Sequence, residues 1–176
     1  MTASASLERI EVEASDWVAA VTDARDAAYT FFDWLTAVDQ TDDATSPGLD
    51  VVCHLLDTAT PGSLRRIMIR TRVPDGSSLE SITGVFRGAA WHERETHEMF
   101  GLAFDGFDDG TDLGLRPLLL PDGFEGTPLR KSFVLAARAS KQWPGAKEPG
   151  ESEHTRPTGR RRVSAPGVPD PDWGPR

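Results

Sequence analysis

The apolar positions near the start of the chain recur at a helical spacing. Ser15 is a favourable N-cap residue, and the residues after it place apolar side chains three or four positions apart. The spacing is set by Trp17, Val21, Ala24 and Ala28. We expect a helix from Ser15 that breaks near Asp26 and restarts through Phe31, Phe32 and Leu35.

The middle of the chain alternates between apolar and polar residues, and a period of two predicts strands. Residues 50–57 (DVVCHLLD) and 64–72 (LRRIMIRTR) are joined by the turn-forming sequence TATPGS, which predicts a β-hairpin. On the second strand Ile67 and Ile69 share one face, and Met68 lies on the other. That other face also carries Arg66, Arg70 and Arg72. It is either a solvated face or a docking surface for an acidic partner.

Two further helices and one edge strand are predicted in the second half. Ser77 and Glu80 form a capping box, and Leu79, Ile82 and Phe86 follow at helical spacing. A short helix is expected over 91–100, with Gly101 as its C-terminal cap. Residues 115–120 (LRPLLL) are a possible edge strand, because Pro117 cannot donate to a ladder.

These elements predict an α+β fold. It is a two-layer domain at residues 10–135, with a mixed β-sheet covered by helices on one face. The composition changes from Pro144, and seven of the thirteen prolines lie in the last 33 residues. Such a segment buries too little apolar surface to fold alone. We therefore expect residues 136–176 to form an extended, Pro-rich C-terminal tail.

Charge and cysteine content exclude several classes of function. The net charge is -9, and residues 1–60 carry twelve acidic residues against two arginines, which argues against general nucleic-acid binding. The single cysteine, Cys53, excludes a disulfide within the chain and an iron–sulfur cluster held by this chain alone, and we expect a buried thiol. No secretory signal and no stretch of about 18 apolar residues is present, so membrane contact is expected only through partners.

The sequence WHERETHEMFG resembles the zinc-binding H-E-x-x-H motif. However, His92 and His97 are five residues apart instead of four, which separates them by about 140° around a helix. A metal-dependent hydrolase built on His92, Glu93 and His97 is therefore a weak alternative. No catalytic, cofactor-binding or metal-ligating residue is assigned.

The acidic residues of the same helix form two groups. Glu95 and Glu98 share the side of Trp91 and Met99, and Glu93 lies on the opposite side. The second group also contains His97 and Phe100. If the Trp91 side faces the core, Glu95 and Glu98 need partners. The candidates are Arg94, Arg116 and the Arg130-Lys131 pair, and a pairing with Arg130 or Arg116 is expected. A catalytic acid pair is the alternative to this structural ion network.

Residues 121–133 (PDGFEGTPLRKSF) form the second dense region. Gly123, Gly126 and Pro128 indicate a fixed irregular backbone, and two adjacent cations, Arg130 and Lys131, follow. Either an anion site or a partner-docking loop fits this pattern. No phosphate-binding glycine motif is present in the sequence.

Taken together, these motifs resemble the signature of the C subunit of NADH:quinone oxidoreductase, respiratory complex I. The ending, with WPGAKEPGE and APGVPDPDWGP, is similar to actinobacterial members. Glu98 replaces the usual aspartate, Phe107 and Thr127 stand where the family has histidines, and Ser132 replaces another aspartate. The resemblance implies a structural and partner-docking motif made of Glu93, Arg94, Glu95, Glu98, Gly101, Arg116, Gly126, Pro128, Leu129, Arg130 and Lys131.

The resemblance also implies a function. The chain would be a cofactor-free, non-catalytic scaffold subunit of the peripheral arm, while the complex as a whole carries FMN, iron–sulfur clusters, NADH and quinone and translocates protons. Its partners would be the D subunit, which contributes the quinone site, and the cluster-bearing neighbour of the D subunit, on the cytoplasmic side of the cell membrane. The nearest alternative is the equivalent subunit of a related membrane-bound [NiFe] hydrogenase complex.

Overall fold

The computed structural model describes residues 7–134, and within them a mixed four-stranded sheet is the central element. The strand order is β1-β4-β3-β2, with β1 parallel to β4 and the other pairs antiparallel. The strands of this sheet are β1 (Leu7–Val12), β2 (Phe31–Gln40), β3 (Gly48–Asp57) and β4 (Arg65–Pro74). The helices are α1 (Trp17–Asp26) and α2 (Ala89–Phe100), and a small parallel pair is formed by β5 (Ser78–Glu80) and β6 (Ala103–Asp105).

One face of the sheet carries the hydrophobic core. Leu35, Val51, Cys53, Leu55 and Ile69 have at most 1% of their surface exposed, because both helices and the segment after β4 cover them. The helices contribute Trp17, Val21, Ala24, Ala89 and Phe100. Cys53 is buried, as predicted, and burial raises the pKa of its thiol far above the ordinary value.

The opposite face holds the arginines of β4. Arg70 contacts Glu11 at 2.6 Å, and Arg72 donates to Asp50 at 2.6 Å. Asp50 is itself only 4% exposed, so its charge is neutralised inside this network. Arg70 and Arg72 therefore already have acidic partners within the chain, which favours the solvated alternative over a basic docking face.

The predicted helical restart after Asp26 is wrong. Ala28 adopts a left-handed backbone (φ 80°), and the chain enters β2 instead. Leu35 and Ala37 are buried while Thr36 and Val38 are exposed, which is the alternation of a strand. Aromatic and β-branched residues suit such a half-buried surface, and pairing with β3 along its whole length decides the outcome.

The helix predicted from Ser77 is also wrong. Residues 78–80 form β5, and residues 81–88 form turns that end where α2 begins. The chain after β5 is held by a distant carboxylate instead of by a local cap, since Glu93 of α2 accepts hydrogen bonds from Ser81 and from the Ile82 N–H.

The other fold predictions have mixed outcomes. The hairpin is confirmed as β3 and β4, the α+β class with a mixed sheet is confirmed, and α2 ends at Gly101 in a left-handed conformation (φ 74°), as expected. Residues 115–120 form no strand, because their backbone groups bind side chains of α2. The predicted tail over 136–176 lies outside the described residues.

The outer edge of β2 is partly covered. The Nδ1 atom of His92 lies 3.2 Å from the carbonyl oxygen of Leu35 and 3.4 Å from its nitrogen. These backbone groups point away from β3, where a further strand would otherwise pair. The His92 ring also packs edge-on against Phe32, with ring centroids 5.3 Å apart.

Candidate functional site

Helix α2 buries the face opposite to the Trp91 side. Trp91 is 64% exposed, whereas Glu93 is fully buried. The core-facing stripe is Ala89, Glu93, Thr96 and Phe100, spaced four, three and four residues apart. Its small members let the helix lie close to the sheet, and its one carboxylate is hydrogen-bonded by Ser81 at 2.6 Å and Ile82 N–H at 2.7 Å.

Burial raises the pKa of Glu93 to about 7, and the two hydrogen bonds only partly offset that effect. The carboxyl group therefore titrates close to neutral pH. It connects α2 to the turn over 81–82, and that turn precedes the exposed Arg87 and the start of α2.

Glu98, on the half-exposed side of α2, holds the segment over 115–120. Its two carboxylate oxygens accept the backbone N–H groups of Leu118, Leu119 and Leu120 at 2.8–3.1 Å. Desolvation acts to raise the pKa of Glu98, but these three bonds and the Arg94 charge outweigh it, so the pKa is lowered. Arg94 completes the clamp by donating to the carbonyl oxygens of residues 116 and 117 at 3.1 and 2.7 Å.

The turn over 127–131 docks on the end of the same helix. The Leu129 N–H donates to the Met99 carbonyl oxygen at 3.1 Å, and Arg130 Nε donates to the Phe100 carbonyl oxygen at 2.5 Å. These bonds satisfy carbonyl groups that the end of a helix leaves without partners. The Lys131 N–H donates to Asp39 of β2 at 2.7 Å, which ties the turn to the sheet.

Asp39 is the sheet-side anchor. It is 4% exposed and also accepts the N–H and hydroxyl of Thr41. Burial acts to raise its pKa, but the bonds from Thr41 and Lys131 and the charge of Arg130 outweigh it, and the pKa is lowered. An ionised carboxylate therefore holds the Arg-Lys turn in place.

Two glycines allow the backbone of this region to pack closely against neighbouring side chains. Gly101 has φ 74°, and a Cβ there would stand 3.1 Å from the Thr127 methyl group. Gly126 has φ 109°, and a Cβ there would stand 2.8 Å from the Phe133 ring. Both positions require a backbone conformation that residues with side chains rarely adopt.

The predicted ion network is wrong in its partners. Arg116 pairs with Asp109, and Arg130 contacts Asp75 at 2.5 Å, while Glu98 binds backbone N–H groups instead of either cation. Glu95 is exposed. The expectation assumed that the Trp91 side of α2 faces the core, whereas the buried side is the opposite one, which carries Glu93.

The histidines of the zinc-like sequence have separate structural roles. His92 Nδ1 contacts the Leu35 backbone, and His97 Nδ1 lies 2.8 Å from the Leu102 carbonyl oxygen. Glu93 is buried between α2 and the 81–82 turn, so the three side chains do not converge. In residues 7–134 no group of three or more His, Cys, Asp and Glu side chains is placed to hold a metal ion.

The segment over 113–131, called the docked segment below, leaves several apolar side chains exposed to solvent. Leu113, Leu119 and Leu129 are 66%, 58% and 56% exposed. The backbone N–H groups of Leu119 and Leu129 are nevertheless bonded to Glu98 and to the Met99 carbonyl oxygen. Beside them a cleft of about 370 Å³ opens between the end of α2 and the loop. Its walls include His97, Leu115 and Phe124.

Sequence reasoning missed the anchors that lie far from the motif. Asp39, Asp75 and Ser81 each bind a motif residue, and Asp39 does so across 92 positions of sequence. Nothing local distinguishes Asp39 from its neighbours Asp42 and Asp43 except its place in the strand alternation, where Leu35 and Ala37 point to the core.

Comparison with known proteins gives a consistent result. The family model described as the 30 kDa subunit of respiratory-chain NADH dehydrogenase matches residues 10–139. The C subunit of the NADH-quinone oxidoreductase from Mesorhizobium japonicum is 46% identical over 86 residues, which is 49% of this chain and 39% of that protein. The corresponding protein of Chlorobium phaeobacteroides is 36% identical over 110 residues, 62% of each chain. The chain thus matches about two fifths to three fifths of these relatives' length.

A solved structure shares the fold. A trypsin-resistant fragment of Nqo5 superposes with a TM-score of 0.51 at 20% identity, covering 62% of this chain and 86% of the fragment. Over the part of the chain that the structure describes, neither helix has the length and apolar character that crossing a bilayer needs. The match over residues 10–139 shows that the chain belongs to the family of the 30 kDa subunit, also called the C subunit, of respiratory NADH:quinone oxidoreductase.

Proposed function

We propose that this chain is a cofactor-free scaffold subunit of the peripheral arm of a proton-translocating NADH:quinone oxidoreductase, and that it docks on the quinone-site subunit through the segment over 113–131. The observation that carries this proposal is the contrast within that segment. Its polar groups are turned inward and bonded, whereas Leu119 and Leu129 are turned outward. A rigid loop that presents apolar side chains to solvent is typical of a protein–protein contact.

The motif residues contribute to docking indirectly. Glu98, Arg94 and Arg130 fix the backbone, so the loop loses little conformational entropy when a partner binds. The leucines would then supply the apolar contact area, at about 1.5–3 kcal/mol for each side chain that becomes fully buried. The role of the motif in this proposal is therefore preorganisation of the loop, with no chemical step.

Localisation follows from the same assembly. The chain would sit on the cytoplasmic side of the cell membrane and be held there through the complex. FMN, iron–sulfur clusters, NADH and quinone would belong to other subunits, among them the D subunit and its cluster-bearing neighbour.

The test is recovery of the complex on the tagged full-length chain. We expect the other NADH:quinone oxidoreductase subunits to co-purify, and Leu119→Asp with Leu129→Asp to lower their yield about tenfold or more by placing charge in an apolar contact. Leu64→Asp is the matched control, because Leu64 is 42% exposed just before β4, outside the docked segment. Equal yields from both variants would contradict the docking surface, and hydrogenase subunits among the co-purified proteins would contradict the assignment of the complex.

A further inference from the structure

A second pocket, of about 180 Å³, lies beside the N-terminal half of α2. Three arginines, Arg87, Arg94 and Arg116, line it together with Asp108 and Asp109. The formal charge of this lining is +1, in a chain whose net charge is -9. A locally positive pocket on an acidic protein attracts a single negative group.

One of the two acidic residues of the pocket, Asp109, already has a cationic partner. Asp109 pairs with Arg116 and accepts the N–H and hydroxyl of Thr111. The bonds from Thr111 and Arg116 lower the pKa of Asp109 to about 2. Arg116 is therefore neutralised, and Asp109 is committed to it. Asp108 is exposed and accepts the Gly110 N–H at 2.7 Å, but it forms no ion pair within residues 7–134, so its charge opposes one of the two remaining arginines, Arg87 and Arg94.

Two donors of the pocket remain available. Arg94 is only 7% exposed, and its Nε and Nη2 donate to carbonyl oxygens, but its Nη1 has no hydrogen-bond partner among residues 7–134. Arg87 is exposed and has neither an ion pair nor a hydrogen bond within the same residues. Its guanidinium lies beside Gly110, 3.7 Å from the place a Cβ there would take. Arg94 is held rigidly by its two carbonyl partners, so Nη1 presents a fixed donor to the pocket that a ligand oxygen can accept.

The rim of the pocket carries an exposed aromatic side chain. The Trp91 ring stands over Arg94, with the guanidinium carbon 5.7 Å from the ring centroid. Tryptophan and arginine together are the residue types that contribute most binding energy at protein–protein interfaces. A free inorganic anion would leave the exposed Trp91 ring uncovered, whereas a protein segment would bury it.

We propose that this pocket binds the carboxylate of an Asp or Glu side chain from a partner subunit, with Arg87 and Arg94 Nη1 as donors and Trp91 packed against the partner's chain. Paired arginine donors suit the two oxygens of a carboxylate. The proposal rests on the proposed function, since it needs a multi-subunit complex, but it concerns a surface separate from the leucines of the docked segment.

The test uses a zero-length coupling between an amine and a carboxylate. Arg87→Lys places an amine at the pocket, and carbodiimide treatment of the purified complex should couple it to an Asp or Glu of another subunit, which peptide mass spectrometry identifies. Arg9→Lys is the matched control, because Arg9 is an exposed arginine on β1, away from α2. We expect the coupled peptide with the first variant and none with the second.

A second variant keeps the test decisive if coupling is inefficient. Arg87→Glu should lower the yield of co-purified subunits about tenfold or more, while Arg9→Glu leaves the yield unchanged. Coupling only to Asp108 or Asp109 of the same chain, or full yield with Arg87→Glu, would overturn the proposal. So would saturable binding of inorganic phosphate to the wild-type chain that Arg87→Glu abolishes while assembly is unaffected. Failure of the wild-type chain to co-purify with any subunit would instead refute the proposed function.

Discussion

Replacing Glu93 by glutamine should change how the stability of the domain depends on pH. Burial raises the pKa of this carboxyl group from 4.5 to about 7. The folded protein therefore binds a proton more tightly than the unfolded chain does. Stability from this group is fully present below pH 4.5, falls as the pH rises, and is lost above pH 7.

The size of the effect follows from the pKa difference. Each pKa unit corresponds to about 1.4 kcal/mol, so the protonated form is favoured by about 3 kcal/mol in the folded state. Between about pH 5 and pH 8 the contribution of Glu93 to the free energy of unfolding should fall by about 2–3 kcal/mol. Glutamine cannot ionise, and its amide oxygen can still accept the Ile82 N–H while its amide nitrogen donates to Ser81.

The assay is urea unfolding of the full-length chain, followed by far-ultraviolet circular dichroism at pH 5, 6, 7 and 8. We expect Glu93→Gln to equal the wild type within about 1 kcal/mol at pH 5 and to exceed it by about 2 kcal/mol or more at pH 8. Glu95→Gln is the control, because the same chemical change at an exposed position of the same helix should leave the wild-type pH dependence intact. Parallel pH curves for the wild type and Glu93→Gln would show that the carboxyl group is hydrated and that the reasoning fails.

Two further predictions concern the docked segment. Glu98→Ala removes the acceptor of three backbone N–H groups. Because hydrogen bonds to charged groups contribute about 1.5–3 kcal/mol each, amide hydrogen exchange at residues 118–120 should accelerate at least tenfold. The amides of β3 should keep their protection. Unchanged exchange at 118–120 would contradict the anchoring role of Glu98. Gly101→Ala should lower the free energy of unfolding more than Gly106→Ala does. Both glycines have a positive φ, but only at Gly101 would the added carbon lie within 4 Å of a neighbour, the Thr127 methyl group. Equal losses, measured by thermal unfolding, would mean that Thr127 moves aside without cost.

The parts of the fold that sequence analysis predicted are those where short-range signals are unambiguous. The hairpin of β3 and β4 has alternation on both strands and a turn sequence between them, and the end of α2 has a glycine where a left-handed residue is needed. Phe31, Phe32 and Leu35 fit a helix as well as a strand by spacing alone. Their conformation is decided by the partner strand, Gly48–Asp57, which no local pattern reveals.

The contacts of the motif residues were predicted incorrectly, and their role as a site stays a prediction. Arg130 and Glu98 were both identified, but the pairing expected between them assumed that Trp91 faces the core. The true arrangement depends on Glu93 being satisfied by Ser81 and the Ile82 N–H, which makes burial of that acid tolerable. The sequence offers no local sign of that contact, because Ile82 fits the helical spacing predicted after Ser77 equally well.

The side-chain contact at the outer edge of β2 also affects how an isolated copy of the chain can associate, before any partner binds. An open strand edge invites pairing with another copy, which is a common beginning of aggregation. Here the ring of His92 contacts the backbone N–H and carbonyl groups of Leu35. At Leu35 the edge therefore presents an imidazole ring in place of free backbone groups, so a strand from another copy would have to displace that ring before it could pair there. The contact between His92 and Leu35 thus opposes self-association of the chain through this part of the strand.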